Sequence, residues 1–295
     1  MLHSNNTPLA AIALEQWRPN GSTMAVVVAR ARIGVEPDGS QFIDESELVL
    51  ADSFEGDPHR TPMREASDLI PFKSGADVTL KATLHAPEPR EQLHAAIRLG
   101  DLYTEFRGHG ARHWYRRRKW RLSPPEPVAQ VPLCWSHASG GRVIGHPEGD
   151  ADRLNPIGPG VIHPEFTPKS IEVPAPQIDS AAAPLALDPY QPSAPVGAGP
   201  VPPWWLWRQQ FAGTYDDAWE RDTQPRLPAD FNYRHYQVAP PALQPGHYLA
   251  PGMQLETTGL RPGGAPLSLP IPDMVPFATF GFTDGREVAV RLHLD

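Results

Sequence analysis

The sequence predicts a mainly β fold: an antiparallel β-sandwich or barrel-like arrangement of sheets, with short helical turns and long proline-rich connections. Three observations predict it. The 295 residues include 37 prolines and 24 glycines, about a fifth of the chain where about an eighth is usual, and both residues are costly inside helices. Several short runs alternate apolar and polar residues with a period of two. Gly-Asp and Asp-Gly pairs stand between such runs, where tight hairpin turns belong. Hydrophobic residues make up 40% of the chain, enough for one sizeable core or two smaller ones. Apolar stretches such as Met24 to Ala29 fall far short of the roughly 20 residues that a transmembrane helix needs.

The elements follow in order. Thr23 to Ile33 carries the branched residues Val26, Val27, Val28 and Ile33, and reads as a strand. Pro37-Asp38-Gly39-Ser40 supplies turn chemistry, and Gln41 to Ala51 could return as a second strand. Met63 to Asp68 is a weak helical signal that Pro71 stops. In Ala76 to His85, Val78, Leu80, Ala82 and Leu84 share one face, which predicts a strand. Leu93 to Leu99 and Leu102 to Phe106 flank Gly100-Asp101, a hairpin. Arg112 to Arg121 holds six Arg or Lys residues and three aromatics. As a strand over 114–121 it would put Tyr115, Arg117, Lys119 and Arg121 on one face and Trp114, Arg116, Arg118 and Trp120 on the other, at an edge and with arginines stacked on tryptophans.

Residues 122–203 differ in composition, with 18 of the prolines. They predict an irregular Pro/Gly-rich strap between a β-rich region, 1–121, and an aromatic-rich segment with terminal strands, 204–295. Within the strap, 174–203 has the composition of an extended, polyproline-like linker, either laid over a core or free to dock elsewhere. Beyond it, Trp205 to Phe211 and Asp216 to Arg221 predict short helical turns, with Asp216 as an N-cap. Met253 to Thr257 and Leu267 to Pro272 predict strands. Phe277 to Gly281 and Val288 to Leu294 flank Asp284-Gly285, the strongest hairpin signal in the chain.

The chemistry-bearing residues are dispersed. Net charge is -8, which disfavours nucleic acid as a partner. The basic run at 112–121 is the local exception. Cys134 is the only cysteine, so no internal disulfide forms. It sits between Leu133 and Trp135, a context that predicts a small buried hydrophobe. The twelve histidines show no standard zinc spacing. There is no Gly-x-Ser-x-Gly elbow and no phosphate-binding loop. No metal and no cofactor are expected. Met1 to Pro8 shows no basic region followed by an apolar run, so it does not read as a signal peptide, and cytoplasmic residence is the expectation. Trp204, Trp205 and Trp207 fall within four positions. Each ring is costly in solvent, so this belt is either an internal core or a partner groove.

Two blocks carry a resemblance. One is Gly213-Thr214-Tyr215-Asp216 followed by Trp219, then Leu227-Pro228-Ala229-Asp230-Phe231 and Ala239-Pro240. The other is Ser67-Asp68-Leu69-Ile70-Pro71-Phe72-Lys73 with Asp77-Val78. Supporting matches lie at Gly108 to Trp114 and Ser139-Gly140-Gly141. Together these segments resemble an uncharacterised-domain family of bacterial proteins encoded beside type VI secretion genes. The resemblance implies an adaptor or chaperone that helps load an effector or spike-tip protein, or engages the spike itself, by protein binding and without catalysis. Arg116, Arg117, Arg118, Lys119, Trp204, Trp205 and Trp207 are the candidate partner-binding residues. Gly213, Thr214, Tyr215, Asp216, Trp219, Pro228, Asp230 and Phe231 are expected to be structural, with Tyr215, Trp219 and Phe231 buried. The alternative is a hydrolase whose site gathers loop residues such as His137, His146, Asp216 and Asp230.

Overall fold

The computed structural model describes residues 4–36 and 39–295. The chain opens with three hairpins: β1 (Ala10–Trp17) with β2 (Thr23–Arg30), β3 (Arg32–Val35) with β4 (Gln41–Asp44), and β5 (Ser53–Phe54) with β6 (Met63–Glu65). Next come β7 (Ala82–Arg90), β8 (Gln92–Leu99), β9 (Leu102–His109), β10 (His113–Arg116), β11 (Trp120–Leu122) and β12 (Val128–Leu133). The strap, 122–203, which was expected to be irregular, contains β12 and also β13 (Val173–Pro174) and β14 (Ile178–Asp179). The short helices α1 (Leu206–Gln209) and α2 (Asp217–Asp222) precede β15 (Gln254–Thr258), β16 (Leu267–Pro270), β17 (Phe277–Gly281) and β18 (Glu287–Arg291). The fold is mainly β and antiparallel, with few and short helices, as the composition predicted.

The largest sheet has five strands in the order β14-β9-β8-β15-β16. It joins strands from the N-terminal region, the strap and the C-terminal segment. β8 shows why it forms: Leu93, Ala95, Ile97 and Leu99 are buried on one face, at a strict period of two. Gly100 turns the chain with φ of 57°. Over that face lies the β7–β12 pair, and Leu84, Val131 and Leu133 join Ile97, Phe106 and Ile178 in one core. The two layers touch at Gly108. A Cβ there would lie 3.0 Å from Leu84 Cδ2 and 3.1 Å from Val131 Cβ.

The strap lies against this scaffold. Ala198 and Val201 are fully buried. Leu80 N donates to Ala198 O at 2.7 Å, and Val201 N donates to Val238 O at 2.8 Å. Trp135 and Trp205 meet edge to face at 5.4 Å in a second cluster.

Several predicted elements are corrected. Pro37 and Asp38 of the first predicted turn lie outside the described residues. Residues 45–50, the rest of the predicted returning strand, have no regular structure. Met63–Glu65 is a strand, because it pairs with β5 instead of completing a helical turn. Residues 76–81 are extended but hydrogen-bond to loops: Ala76 N reaches His247 O and Val78 N reaches Leu243 O. The β17–β18 hairpin forms around Asp284-Gly285 as predicted, yet it is a two-stranded ribbon whose Val288 and Val290 stay exposed. Leu294 leaves it to form a bridge with Leu249.

Burial differences set the stability expected of each part. Ile97→Ala should destabilise by about 2 to 5 kcal/mol. Val288→Ser, on the exposed ribbon, should change stability by no more than about 0.5 kcal/mol. Urea denaturation of the two variants against the parent chain measures both.

Candidate functional site

Charged side chains converge where β9 meets the strap. β9 pairs with β14 so that Ile178 faces Gly108 and Asp179 faces Arg107. Ile178 enters the core, so the alternation of the strand turns Asp179 to the opposite face. There Arg107 Nε lies 2.7 Å from Asp179 Oδ1, His109 Nε2 lies 3.2 Å from Oδ2, and Arg112 Nη2 lies 3.5 Å from Oδ2. The Asp179 and Arg112 side chains are each only 7% exposed. Backbone carbonyls hold the guanidiniums: Arg107 Nη2 donates to Ser180 O and Arg112 Nε donates to Pro176 O. His109 Nε2 and Arg112 Nη2 are buried and make no aligned hydrogen bond. Their contact with Asp179 is electrostatic.

Burial by itself would raise the Asp179 pKa. The charge of His109, with the hydrogen bond and charge of Arg107, outweighs burial and holds the carboxyl below its ordinary value. Two guanidiniums face one carboxylate, so the cluster carries excess positive charge inside the protein. Chemically this is an imidazole held by a carboxylate beside two cations, a set that can orient a base or receive an anion.

A second pair lies nearby, on the 3₁₀ turn Trp135–His137 that follows β12. Gln177 receives the amide of His109 at its carbonyl and donates its own amide to His137 O. The His137 ring approaches Cys134, with Nδ1 3.5 Å from Sγ, and Ser136 Oγ is 2.7 Å from the same sulfur. Burial pushes the Cys134 thiol up, but these hydrogen bonds bring it below its ordinary value. The hydrogen bond to Cys134 raises His137, against the effect of burial. Cys134 is therefore a half-buried thiol among polar groups, and the expectation of an inert hydrophobe is corrected.

The basic run forms a hairpin. β10 and β11 pair Trp114 with Leu122 and Arg116 with Trp120, and the chain turns at Arg117-Arg118-Lys119. The single strand predicted over 114–121 is thus broken, and its two-faced pattern does not form. Trp114 and Trp120 are buried with Ile162, Val173 and Ala175. The arginines consequently do not stack on the tryptophans, because the rings are spent on this core. Arg117, Arg118, Lys119 and Arg121 are exposed. Among the described residues none of the basic side chains from Arg116 to Arg121 makes an ion pair.

Residues 20–295 match the model of a family described as an uncharacterized protein conserved in bacteria, DUF2169. The chain belongs to that family. No curated protein and no solved structure matches it. Both motif blocks of this DUF2169 protein lie within the matched residues.

The blocks brace loops. Asp230 accepts from Thr214 N at 3.0 Å and Thr214 Oγ1 at 2.8 Å. Gly213 takes φ of 79° beside it, which only glycine adopts without strain. Pro228 O receives the amide of Phe231. Asp216 caps α2 by accepting from Trp219 N at 2.8 Å. Phe231 is buried, but Trp219 is only partly buried and Tyr215 is 51% exposed. Their edge-to-face pair at 4.6 Å caps the loop from outside. Trp205 is fully buried and so cannot meet a partner. Trp204 stacks on Phe54 at 5.4 Å, and Trp207 is half-buried.

The four residues named for a hydrolytic site do not converge. His137 turns to Cys134, His146 packs edge to face on Phe166 at 4.4 Å, and Asp216 and Asp230 serve the loop just described. The expectation of a strictly non-enzymatic protein is nevertheless overturned, because the His109–Asp179–Arg107–Arg112 cluster has the composition of a catalytic or binding site. Sequence reasoning missed it. Arg107 and His109 alternate correctly to share a face of β9, but Asp179 arrives from a distant, proline-rich segment without periodicity. Among the described residues no group of three or more His, Cys, Asp or Glu side chains is placed to hold a metal ion. No described helix is long and apolar enough to cross a membrane.

Removing Asp179 should be costly. Asp179→Ala leaves the buried guanidinium of Arg112 and the partly exposed one of Arg107 uncompensated and should destabilise by about 3 kcal/mol. Because the folded pKa of Asp179 is depressed, its contribution is complete above the unfolded carboxylate pKa of about 3.9 and is lost as pH falls through the folded value. Denaturation profiles between neutral and strongly acidic pH should show this loss in the parent chain, and a smaller one in Asp179→Asn.

Proposed function

We propose that this DUF2169 protein is a cytoplasmic accessory protein that binds a protein partner and helps load an effector or spike-tip protein onto the type VI secretion machinery. The observation that carries this reading is the unneutralised cationic hairpin, Arg116 to Arg121, on a chain whose net charge is -8. Uncompensated charge at one place steers an acidic partner and orients it. The resemblance of the Gly213 to Phe231 and Ser67 to Val78 blocks to proteins encoded beside secretion genes supports the class of cargo, an effector or spike-tip protein. The test is capture of proteins encoded by neighbouring genes. Arg117→Glu combined with Lys119→Glu should abolish capture and leave the melting temperature unchanged, and capture by the parent chain should weaken as salt rises. Equal capture by the variant rejects the hairpin as the docking site.

The buried cluster favours a second reading, and its geometric support is more direct, since its groups are already in contact within one chain. In it the protein is a hydrolase in which His109, oriented by Asp179, is the base and the guanidiniums of Arg107 and Arg112 hold an anionic substrate group. Turnover of chromogenic ester and glycoside substrates that carry a carboxylate, lost in His109→Gln with the fold retained, is the expected outcome. Turnover unaffected by His109→Gln rejects the site.

A further inference from the structure

The cationic hairpin is bordered by two grooves. The first, of about 420 Å³, runs between the hairpin and the strap and is lined by Arg116, Arg118, Lys119, Trp120, Leu187 and Tyr190. The second, of about 410 Å³, lies on the other side of β10 and includes Arg117, Lys169 and Ile171. Arg116 lines both.

The first groove has a fixed frame. Tyr190 Oη accepts from Trp120 Nε1 at 2.9 Å and from Arg116 Nη1 at 3.2 Å, which ties the strap to the hairpin. Asp188, the acidic residue at this rim, is turned to its own loop and accepts from Tyr190 N at 3.1 Å. It forms no ion pair with Arg118 or Lys119. On the second rim Glu172 lies 3.5 Å from His113 Nε2, and Lys169 makes no ion pair among the described residues. Opposite the cations of the first groove stands Leu187, 82% exposed.

We propose that the hairpin takes an extended acidic segment of a protein partner, carboxylates on Arg117, Arg118 and Lys119, with one large apolar side chain of that segment seated on Leu187. This rests on the partner-binding reading above and names the chemistry of the partner. Charge complementarity decides the occupant: among the described residues the cations make no ion pair, and the rest of the chain carries net negative charge. A short peptide can confine its charge to the hairpin. A nucleic acid strand carries charge beyond it, and non-specific strand binding relies on exposed aromatic faces for stacking, whereas Trp114 and Trp120 are buried and the one exposed ring of the groove, Tyr190, is tied through its hydroxyl to Arg116 and Trp120. The exposed Leu187 instead supplies the apolar contact that a peptide side chain would use.

The test is fluorescence anisotropy with a labelled peptide of alternating Glu and Ser around a central Leu. Two control peptides carry Gln for every Glu, or Ser for the Leu. The parent chain should bind the acidic Leu peptide, more weakly as salt rises, and should not bind the Gln peptide. Arg118→Glu with Lys119→Glu should weaken binding by about tenfold or more. Leu187→Ser should weaken the Leu peptide and leave the Leu-free peptide unchanged. All three substituted positions are exposed, and melting curves verify folding. Equal binding of the Gln peptide, indifference to Leu187→Ser, or tighter binding of single-stranded DNA at the same salt overturns the proposal. Absent peptide binding alongside charge-dependent cargo capture rejects the extended segment and keeps the adaptor reading. Peptide binding with cargo capture unaffected by charge reversal keeps the groove and rejects its use for cargo.

Discussion

Asp77 is the joint on which the assembly of the chain depends. Its carboxylate is 4% exposed and 3.0 Å from Lys73 Nζ. It accepts the amides of Val238 at 2.9 Å and Ala239 at 3.1 Å, while its own amide donates to the side chain of Asp295 at 2.8 Å. Lys73 also pairs with Asp295, and burial alone would lower the lysine's pKa, but the two carboxylates raise it. A buried charge is tolerated only when paired and hydrogen-bonded, so the segments that supply these partners must come together. They are the stretch before β7, the loop ahead of β15 and the last residue of the chain. Beside this joint Ala76 and Val78 donate to the carbonyls of His247 and Leu243, and β15 lies beside β8.

This joint explains why a chain so poor in long elements buries a continuous core. Strands of two to nine residues cannot hold themselves. The five-stranded sheet is completed by segments distant in sequence, and the strap fills its edge through β14. Proline suits that role. It lowers the entropy lost when an irregular segment is ordered, and its missing N–H leaves fewer backbone donors to satisfy under a layer of side chains. Arg208 shows the same economy: buried, and with no ion pair among the described residues, it donates to the carbonyls of Val201 and His235 and so links the strap to the aromatic segment.

What was legible in the sequence is what depends on near neighbours. Leu93 to Leu99 announced a half-buried strand, Gly100-Asp101 and Asp284-Gly285 announced hairpins, and Asp216 announced a cap. Arg117-Arg118-Lys119 was misread because a turn without glycine, proline or asparagine leaves no local mark, and Trp120 reads as a strand residue on either face. Cys134 was misread because its neighbours in sequence are apolar, whereas a single 3₁₀ turn brings Ser136 and His137 to its sulfur. Asp179 was not legible at all. Its partners lie on β9, and only the closed sheet shows which face of the strap they meet.

The two candidate sites are parts of one basic stretch, divided by the strap. From Arg107 to Arg121 the chain presents cations on β9, on the connection to β10 and on the hairpin. The strap crosses it with one carboxylate placed inward, at Asp179, and with a tyrosine hydroxyl placed outward, at Tyr190. The inner cations are therefore paired with Asp179, and among the outer ones Arg116 is held by Tyr190 without being neutralised. A hydroxyl fixes a guanidinium by hydrogen bonding but does not cancel its field. The Asp179 end is paired inside the protein, while the Tyr190 end opens to solvent. That difference follows from one substitution of chemistry along the strap, carboxylate at one crossing and phenol at the next.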